Sequence, residues 1–251
     1  MERITLATDA IFATIQGEGK LTGVPSIFIR LAGCNLFCTW NSKSNKPIEC
    51  DTAYAAYRIQ NTSSHPVEEI YNRVIELKGN IKHIVITGGE PLLQSAPLLT
   101  LCKKLKSEGF HITIETNGTL FNEELFQLID LYSVSPKLAS SAPADCKTAE
   151  LHNSKRINID TLTNLINYSK QNGKELQLKF VVTCNNDILE IKDIISKIPA
   201  VNTTDILIMV AGSDNETLNQ TTEHVLNSII ENGWRYCDRL HIRLFGNTPG
   251  K

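Results

Sequence analysis

The chain has 251 residues, with 25 Lys and Arg against 27 Asp and Glu, so its formal net charge is −2. That balance gives no general electrostatic case for nucleic acid or an anionic membrane as partner, and the length is enough to bury the core of a single α/β barrel domain. No apolar run is long enough to span a bilayer, no secretory leader follows Met1, and seven cysteines, odd in number and spread out, do not read as a secreted disulfide framework.

In chain order, Ile11–Gln16 alternates apolar and polar and then breaks at Gly17 and Gly19, as a short strand entering a glycine-rich loop would. Residues 26–31, S-I-F-I-R-L, form a second expected strand, with Arg30 close to the cysteines that follow. An arginine there suits a carboxylate ligand, and a structural ion pair explains it equally well. His65-Pro66 opens a helix whose stripe of Val67, Ile70, Tyr71, Val74 and Ile75 faces a core.

H-I-V-I-T-G-G-E-P (83–91) is a β-branched strand running into Gly88, Gly89 and Glu90. Two glycines allow close approach of backbone to a ligand, though a plain tight turn also fits. A helix over 97–108 turns Leu98, Leu101, Cys102 and Leu105 inward and ends at Gly109. H-I-T-I-E-T-N-G (111–118) repeats the pattern of strand, acid and turn, with Glu115 after the strand. A helix over 122–131 and a strand at 133–137, S-V-S-P-K, come next, and 138–158 reads as a long polar loop.

Helix 160–172 ends at Gly173, and strand 176–182 carries Lys179 in mid-run, a position that demands a partner or water. Helix 186–198, strand 205–210, helix 216–232 and a last strand at 239–245, R-L-H-I-R-L-F, complete the chain before G-N-T-P-G-K. Strand and helix thus alternate about six times, with polar groups gathered behind the strands. In parallel α/β proteins those strand ends are where ligands sit. The expected fold is α/β, a partial (β/α)6 TIM-like barrel formed by one domain over 1–251.

Three of the cysteines, Cys34, Cys38 and Cys50, share residues 33–52. Three thiolates on a four-iron cluster leave one iron open to a small molecule. The polar segment N-S-K-S-N-K-P reads as a surface excursion between the second and third cysteines. Zinc is the other metal reading, although zinc sites favour close ligand pairs and a closed set of four. Three ordinary thiols, with Cys34 in a core, is the third. Cys102, Cys146, Cys184 and Cys237 read as reduced thiols in a cytoplasm.

Taken together, I-Q-G-E-G (15–19), F-I-R-L-A-G-C-N-L-F-C (28–38), C-D-T (50–52), T-G-G-E-P (87–91), E-T-N-G (115–118), S-P-K (135–137) and the ending G-N-T-P-G-K resemble the radical S-adenosylmethionine (SAM) superfamily. The chain is most similar to its 7-carboxy-7-deazaguanine synthase family. That family commonly spaces its ligands C-x3-C-x2-C. Here an insertion, Asn41–Glu49, makes the pattern C-x3-C-x11-C. Val210 stands near a position where many members carry proline, which implies a different cofactor contact there.

The resemblance implies a lyase that contracts 6-carboxy-5,6,7,8-tetrahydropterin to 7-carboxy-7-deazaguanine with loss of ammonia, in queuosine and deazapurine biosynthesis. It implies a [4Fe–4S] cluster on Cys34, Cys38 and Cys50, with S-adenosylmethionine on its open iron. Gly88, Gly89 and Glu90 would hold the methionine amino group. Glu115 would take the ribose hydroxyls, with Ser135 and Lys137 nearby and Trp40 close to adenine or cluster. Gln16 and Glu18 would read the pterin edge, Arg30 would pair with its carboxylate, and Gly89 and His241 would also face it.

A strand histidine satisfied by a neighbour explains His241 as well. Thr52 would ligate Mg²⁺, a hard ion that prefers oxygen. The implied partners are the pterin, an electron donor such as flavodoxin or ferredoxin, and a second copy in a homodimer. Two other readings stand beside this one: another radical enzyme, such as a glycyl-radical activase, or a non-catalytic pterin-binding homologue.

Overall fold

The structure, a computed structural model, describes residues 2–41, 47–59, 61–212 and 214–246. The middle of the insertion (42–46) and the ending N-T-P-G-K (247–251), counted among the family motifs, lie outside the described residues.

β1 (Arg3–Ile15) and β2 (Pro25–Leu31) pair antiparallel. β3 (Thr39–Asn41) and β4 (Pro47–Glu49) make a separate two-stranded ribbon. There follow α1 (Ala53–Ala56), β5 (Ser63–Pro66), α2 (Val67–Leu77), β6 (His83–Gly88) and α3 (Ser95–Ser107). Then come β7 (His111–Thr116), α4 (Glu123–Phe126), β8 (Leu131–Val134), α5 (Cys146–Lys155), α6 (Ile159–Gln171) and β9 (Glu175–Val182). The chain continues through α7 (Asn185–Ser196), β10 (Ile206–Val210), α8 (Asn215–Asn232), β11 (Arg235–Cys237) and α9 (Leu240–Phe245).

The main sheet runs in the order β11-β10-β9-β8-β7-β6-β2-β1-β5. Every neighbour pair from β2 to β11 is parallel, and β1 and β5 add antiparallel strands at the β2 side. The fold is therefore α/β around an open parallel sheet, as the alternation of elements implied.

Each strand splits its residues between two faces, because side chains alternate with period 2. On β9, Leu176, Leu178, Phe180 and Val182 join the core with Leu165 of α6, Ile191 of α7 and Val225 of α8. The residues between them, Gln177 and Lys179, are buried polar groups on the opposite face. That face carries the site.

Four expectations change. The stretch 239–245 is not a strand: β11 lies earlier, at Arg235–Cys237, and Leu240–Phe245 is a helix. Its alternating Leu, Ile and Leu mimic a strand, but only Ile242 is buried there. Leu240 N–H bonds Gly17 O at 2.9 Å and Gly246 ends the helix at φ +66°. Residues 138–158 are not all loop, since Asp145 caps α5 by accepting from Thr148 N at 2.9 Å. With His152 its one buried residue, α5 shows no apolar stripe to read. The helix expected over 122–131 stops at Phe126, because Asp130 turns to accept from Ile112 N at 2.8 Å and leads into β8. β1 begins at Arg3 rather than at residue 11.

Candidate active site

The parallel strands end around one cavity, and side chains of the polar sheet face line it. Arg30 of β2 registers with Thr87 of β6, Glu115 of β7 with Ser133 of β8, and Lys179 of β9 with Leu207 of β10. Thr87 Oγ1 donates to Glu115 Oε2 at 2.7 Å, and Gln16 Nε2 donates to Glu115 Oε1 at 3.1 Å. Glu115 is thus oriented from both sides while still facing the cavity.

All three cysteines line this cavity. The insertion does not separate them, because its described ends pair as the β3–β4 ribbon. Trp40 registers with Ile48 across β3 and β4, and Cys50 N–H donates to Cys38 O at 3.2 Å at the ribbon's mouth. Tyr57 O–H donates to the same carbonyl at 2.7 Å. Leu36, Cys38 and Trp40 form a small core of their own, against which Cys34, Ile48 and Cys50 pack. On the other side Asn35 Nδ2 donates to Thr119 Oγ1 at 2.8 Å and Asn35 Oδ1 accepts from Asn117 Nδ2 at 2.8 Å.

Burial pushes the Cys34 thiol up to about 11 and raises Cys38 as well, with Lys137 opposing in both cases. Thiols so placed ionise when a metal supplies the missing positive charge. Among the described residues no group of three or more His, Cys, Asp or Glu is set to close on a single ion. Three cysteine sulfurs on one cavity are the soft donors that an iron–sulfur cluster takes.

Gly88 and Gly89 stand where two loops touch. Gly88 has φ +134°, and a Cβ there would lie 2.1 Å from Leu31 O. A Cβ on Gly89 would lie 2.0 Å from Gly33 O. Gly89 N–H bonds Leu31 O at 3.0 Å and Glu90 N–H bonds Gly33 O at 2.8 Å, so this loop is stitched to the start of the cysteine loop. Thr52 Oγ1 donates to Gly88 O at 3.1 Å. Lys137 Nζ donates to Ser135 Oγ at 2.7 Å beside them.

Glu90 differs from its expected place. It is fully buried and does not line the cavity. Its carboxylate accepts from Leu92 N at 3.0 Å, Thr116 Oγ1 at 2.8 Å and Asn117 N at 2.8 Å. Its pKa is raised, burial outweighing those donors. Glu90 therefore ties the G-G-E-P loop to the E-T-N-G loop. Val210 is also fully buried behind the wall, and Met209 faces the cavity instead.

The far side is a buried charge cluster. Glu18 pairs with Lys179, lies 3.5 Å from Arg239 Nε and lies 3.9 Å from His241 Nε2. Arg239 also pairs with Asp51, beside Cys50, and donates to Gly212 O. Burial alone would raise the Glu18 carboxyl, but Lys179, Arg239 and His241 together hold it far below the usual carboxylate range. Lys179 is raised, because Glu18 and Glu115 outweigh the cost of burying an ammonium. His241 is lowered by burial and packs on Gly17, where a Cβ would lie 2.3 Å from its Nδ1.

Arg30 has no hydrogen bond or ion pair among the described residues. Its guanidinium carbon lies 5.6 Å from the Phe12 ring centre and 5.9 Å from that of Tyr54, and its Nε is buried without a partner. The structural ion pair weighed for it is absent from the described residues.

Every expected site residue except Glu90 thus lines this cavity. Lys179 was flagged by its place in an apolar run. Arg239 and His152 carried no signal of their own, since each acts through a contact distant in sequence, and Asn117 was marked only as part of E-T-N-G.

The sequence matches the Radical SAM superfamily over residues 28–198. It is 34% identical over 258 residues to the 7-carboxy-7-deazaguanine synthase of Halobacterium salinarum, covering 97% of this chain and 92% of that protein. It is 36% identical over 250 residues to the one from Rhodopirellula baltica, covering 98% and 89%. The fold resembles the crystal structure of QueE from Escherichia coli with a TM-score of 0.68 at 21% identity, over 96% of each chain.

Proposed function

The chain belongs to the radical SAM superfamily and, within it, to the 7-carboxy-7-deazaguanine synthases, and on that premise we propose how its cavity divides the work. The activity that goes with the membership is the lyase reaction that contracts 6-carboxy-5,6,7,8-tetrahydropterin to 7-carboxy-7-deazaguanine with loss of ammonia, in queuosine biosynthesis. A [4Fe–4S] cluster with S-adenosylmethionine supplies the one-electron cleavage of a carbon–sulfur bond and so a carbon radical that abstracts hydrogen.

The protein's part is to hold and to orient. Cys34, Cys38 and Cys50 hold the cluster. The Gly88–Gly89 backbone, kept in place by Glu90, receives the amino end of S-adenosylmethionine. Glu115, already fixed by Thr87 and Gln16, accepts from its ribose hydroxyls, with Ser135, Lys137 and Trp40 around the remainder. Gln16 and Glu18 read the pterin edge. His241 and Gly89 complete that side, and Arg30 takes the pterin carboxylate. Thr52, at the end of the cysteine loop, presents a hydroxyl oxygen to Mg²⁺.

The observation that carries this reading is Arg30. A cation facing a cavity with no anion of its own stands in the same space as three cysteines, which is what a carboxylate substrate held beside a cluster requires. The reading extends to one domain over 1–251, a homodimer, a cytoplasmic setting, a flavodoxin or ferredoxin donor and a product that feeds transfer RNA modification or a secondary metabolite. No helix among the described residues is long and apolar enough to cross a membrane.

The deciding experiment incubates anaerobically reconstituted protein with reductant, S-adenosylmethionine, Mg²⁺ and the carboxy-tetrahydropterin. Formation of 7-carboxy-7-deazaguanine is expected. Pterin binding with no bound iron and no product would favour the non-catalytic homologue.

A further inference from the structure

Phe37 lies between Cys34 and Cys38, and its backbone N–H donates to His152 Nδ1 at 3.3 Å. His152 is on α5 and fully buried. Its Nε2 lies 3.0 Å from Ser141 Oγ, and that hydroxyl donates to Leu138 O at 2.6 Å. A hydroxyl whose proton goes to Leu138 must accept from the ring. Nε2 therefore carries the imidazole proton and Nδ1 is left as the acceptor for Phe37. The relay closes with one tautomer only.

The neighbouring peptide points the other way, with Leu36 N–H directed at Cys34 Sγ at 3.5 Å. Two successive amides of one loop thus have opposite duties: one faces a sulfur and the next is held away. Amide donors to cluster sulfurs favour the reduced, more negative state and raise the potential. α5 has the rigidity to impose this. Its N-terminus is capped by Asp145, and Arg156 just past its end donates to Lys137 O at 3.0 Å and pairs with Glu190 of α7.

We infer that His152 is a positioning residue for the cysteine loop: it fixes the Phe37 amide away from the sulfur ligands, which sets the loop's shape and limits the donors reaching the cluster. The inference rests on Cys34 and Cys38 being cluster ligands, as proposed above.

The test compares full-length wild type with His152→Leu, His152→Asn and Ser141→Ala. Asparagine places Oδ1 near the Nδ1 position and keeps an acceptor for Phe37, whereas leucine fills the space without one. In apo-protein the Phe37 amide should exchange slowly in wild type and His152→Asn, and about tenfold faster or more in His152→Leu. In loaded protein, His152→Leu should release iron to a chelator about tenfold faster or more. Its midpoint potential should move upward, and His152→Asn should return both toward wild type. The ¹⁵N spectrum of wild-type His152 should show the Nε2–H tautomer, and Ser141→Ala should weaken it.

An Nδ1–H ring in wild type overturns the inference. So does a His152→Leu protein with wild-type exchange at Phe37 and an unmoved potential. If His152→Leu does not fold, the wild-type tautomer and its weakening in Ser141→Ala decide. If wild type takes up no iron, the cluster reading fails, while Phe37 exchange still judges the contact.

Discussion

Cys50 N–H and Cys38 O are bonded at 3.2 Å across the open end of the β3–β4 ribbon, although eleven residues separate them in sequence. The two described ends of the ligand loop therefore stay together across the inserted segment. Cys50→Ala should lower the iron of reconstituted protein well below four per chain. Cys184→Ser, at an exposed thiol, should leave it unchanged. Equal iron in both proteins would remove Cys50 from the ligand set.

Gly89→Ala forces a methyl to within 2.0 Å of Gly33 O, a backbone atom at the root of the cysteine loop. The loop has to move, at a cost of about 1–3 kcal/mol for overpacking. Lower iron uptake together with a lower urea midpoint is the expected pair of results. A variant with wild-type values for both would show that the loop yields without consequence.

Arg30 contributes no ion pair to the fold among the described residues. Arg30→Met should therefore leave the apo-protein's melting temperature within about 2 °C. Loss of a charge-assisted contact of about 1.5–3 kcal/mol should raise KM for the pterin about 10- to 100-fold. Cleavage of S-adenosylmethionine without substrate should not change. A large stability loss with an unaltered KM would make the arginine structural.

Glu18 and Lys179 are a buried pair, so breaking it leaves a charge poorly matched. Lys179→Met should cost about 3 kcal/mol, near the lower end for such pairs because Arg239 remains. Glu18 also shapes the acid response. Its carboxyl is held below the ordinary 4.5, so between those two values the unfolded chain binds more protons. Its contribution is fully present above about pH 4.5 and is lost as pH falls toward the folded value. The urea-midpoint gap between wild type and Glu18→Gln should narrow from pH 7 to pH 3.

His83 and His111 face each other at the other ends of β6 and β7, rings 4.7 Å apart. Burial, and then the neighbouring ring, lower His83 from 6.5. The unfolded chain takes up that proton first, so stability falls as pH drops below about 6.5. Urea unfolding at pH 7 and pH 5.5 should show a smaller loss for His83→Gln than for wild type. An equal loss would place the acid sensitivity elsewhere.

The sequence by itself determined the main alternation of strands and helices from β6 to β10, because burial imposes a period of 2 or 3.6 on local stretches. It also marked candidate cysteines, glycines and acids, because short motifs carry them. Tertiary structure decided what those residues touch. Glu90 looked like a ligand residue and is a tie between loops, since whether a carboxylate faces a cavity depends on three donors from Leu92, Thr116 and Asn117.

R-L-H-I-R-L-F alternates like a strand, yet it is helical beside Arg239, which reaches inward to Asp51, Gly212 and Glu18. The loop helix that carries His152 buries one residue only, and one residue has no period. Local periodicity reports which face of an element is buried. The pairing of buried charges across more than a hundred residues is set by the topology of the sheet, and no local pattern in the chain encodes it.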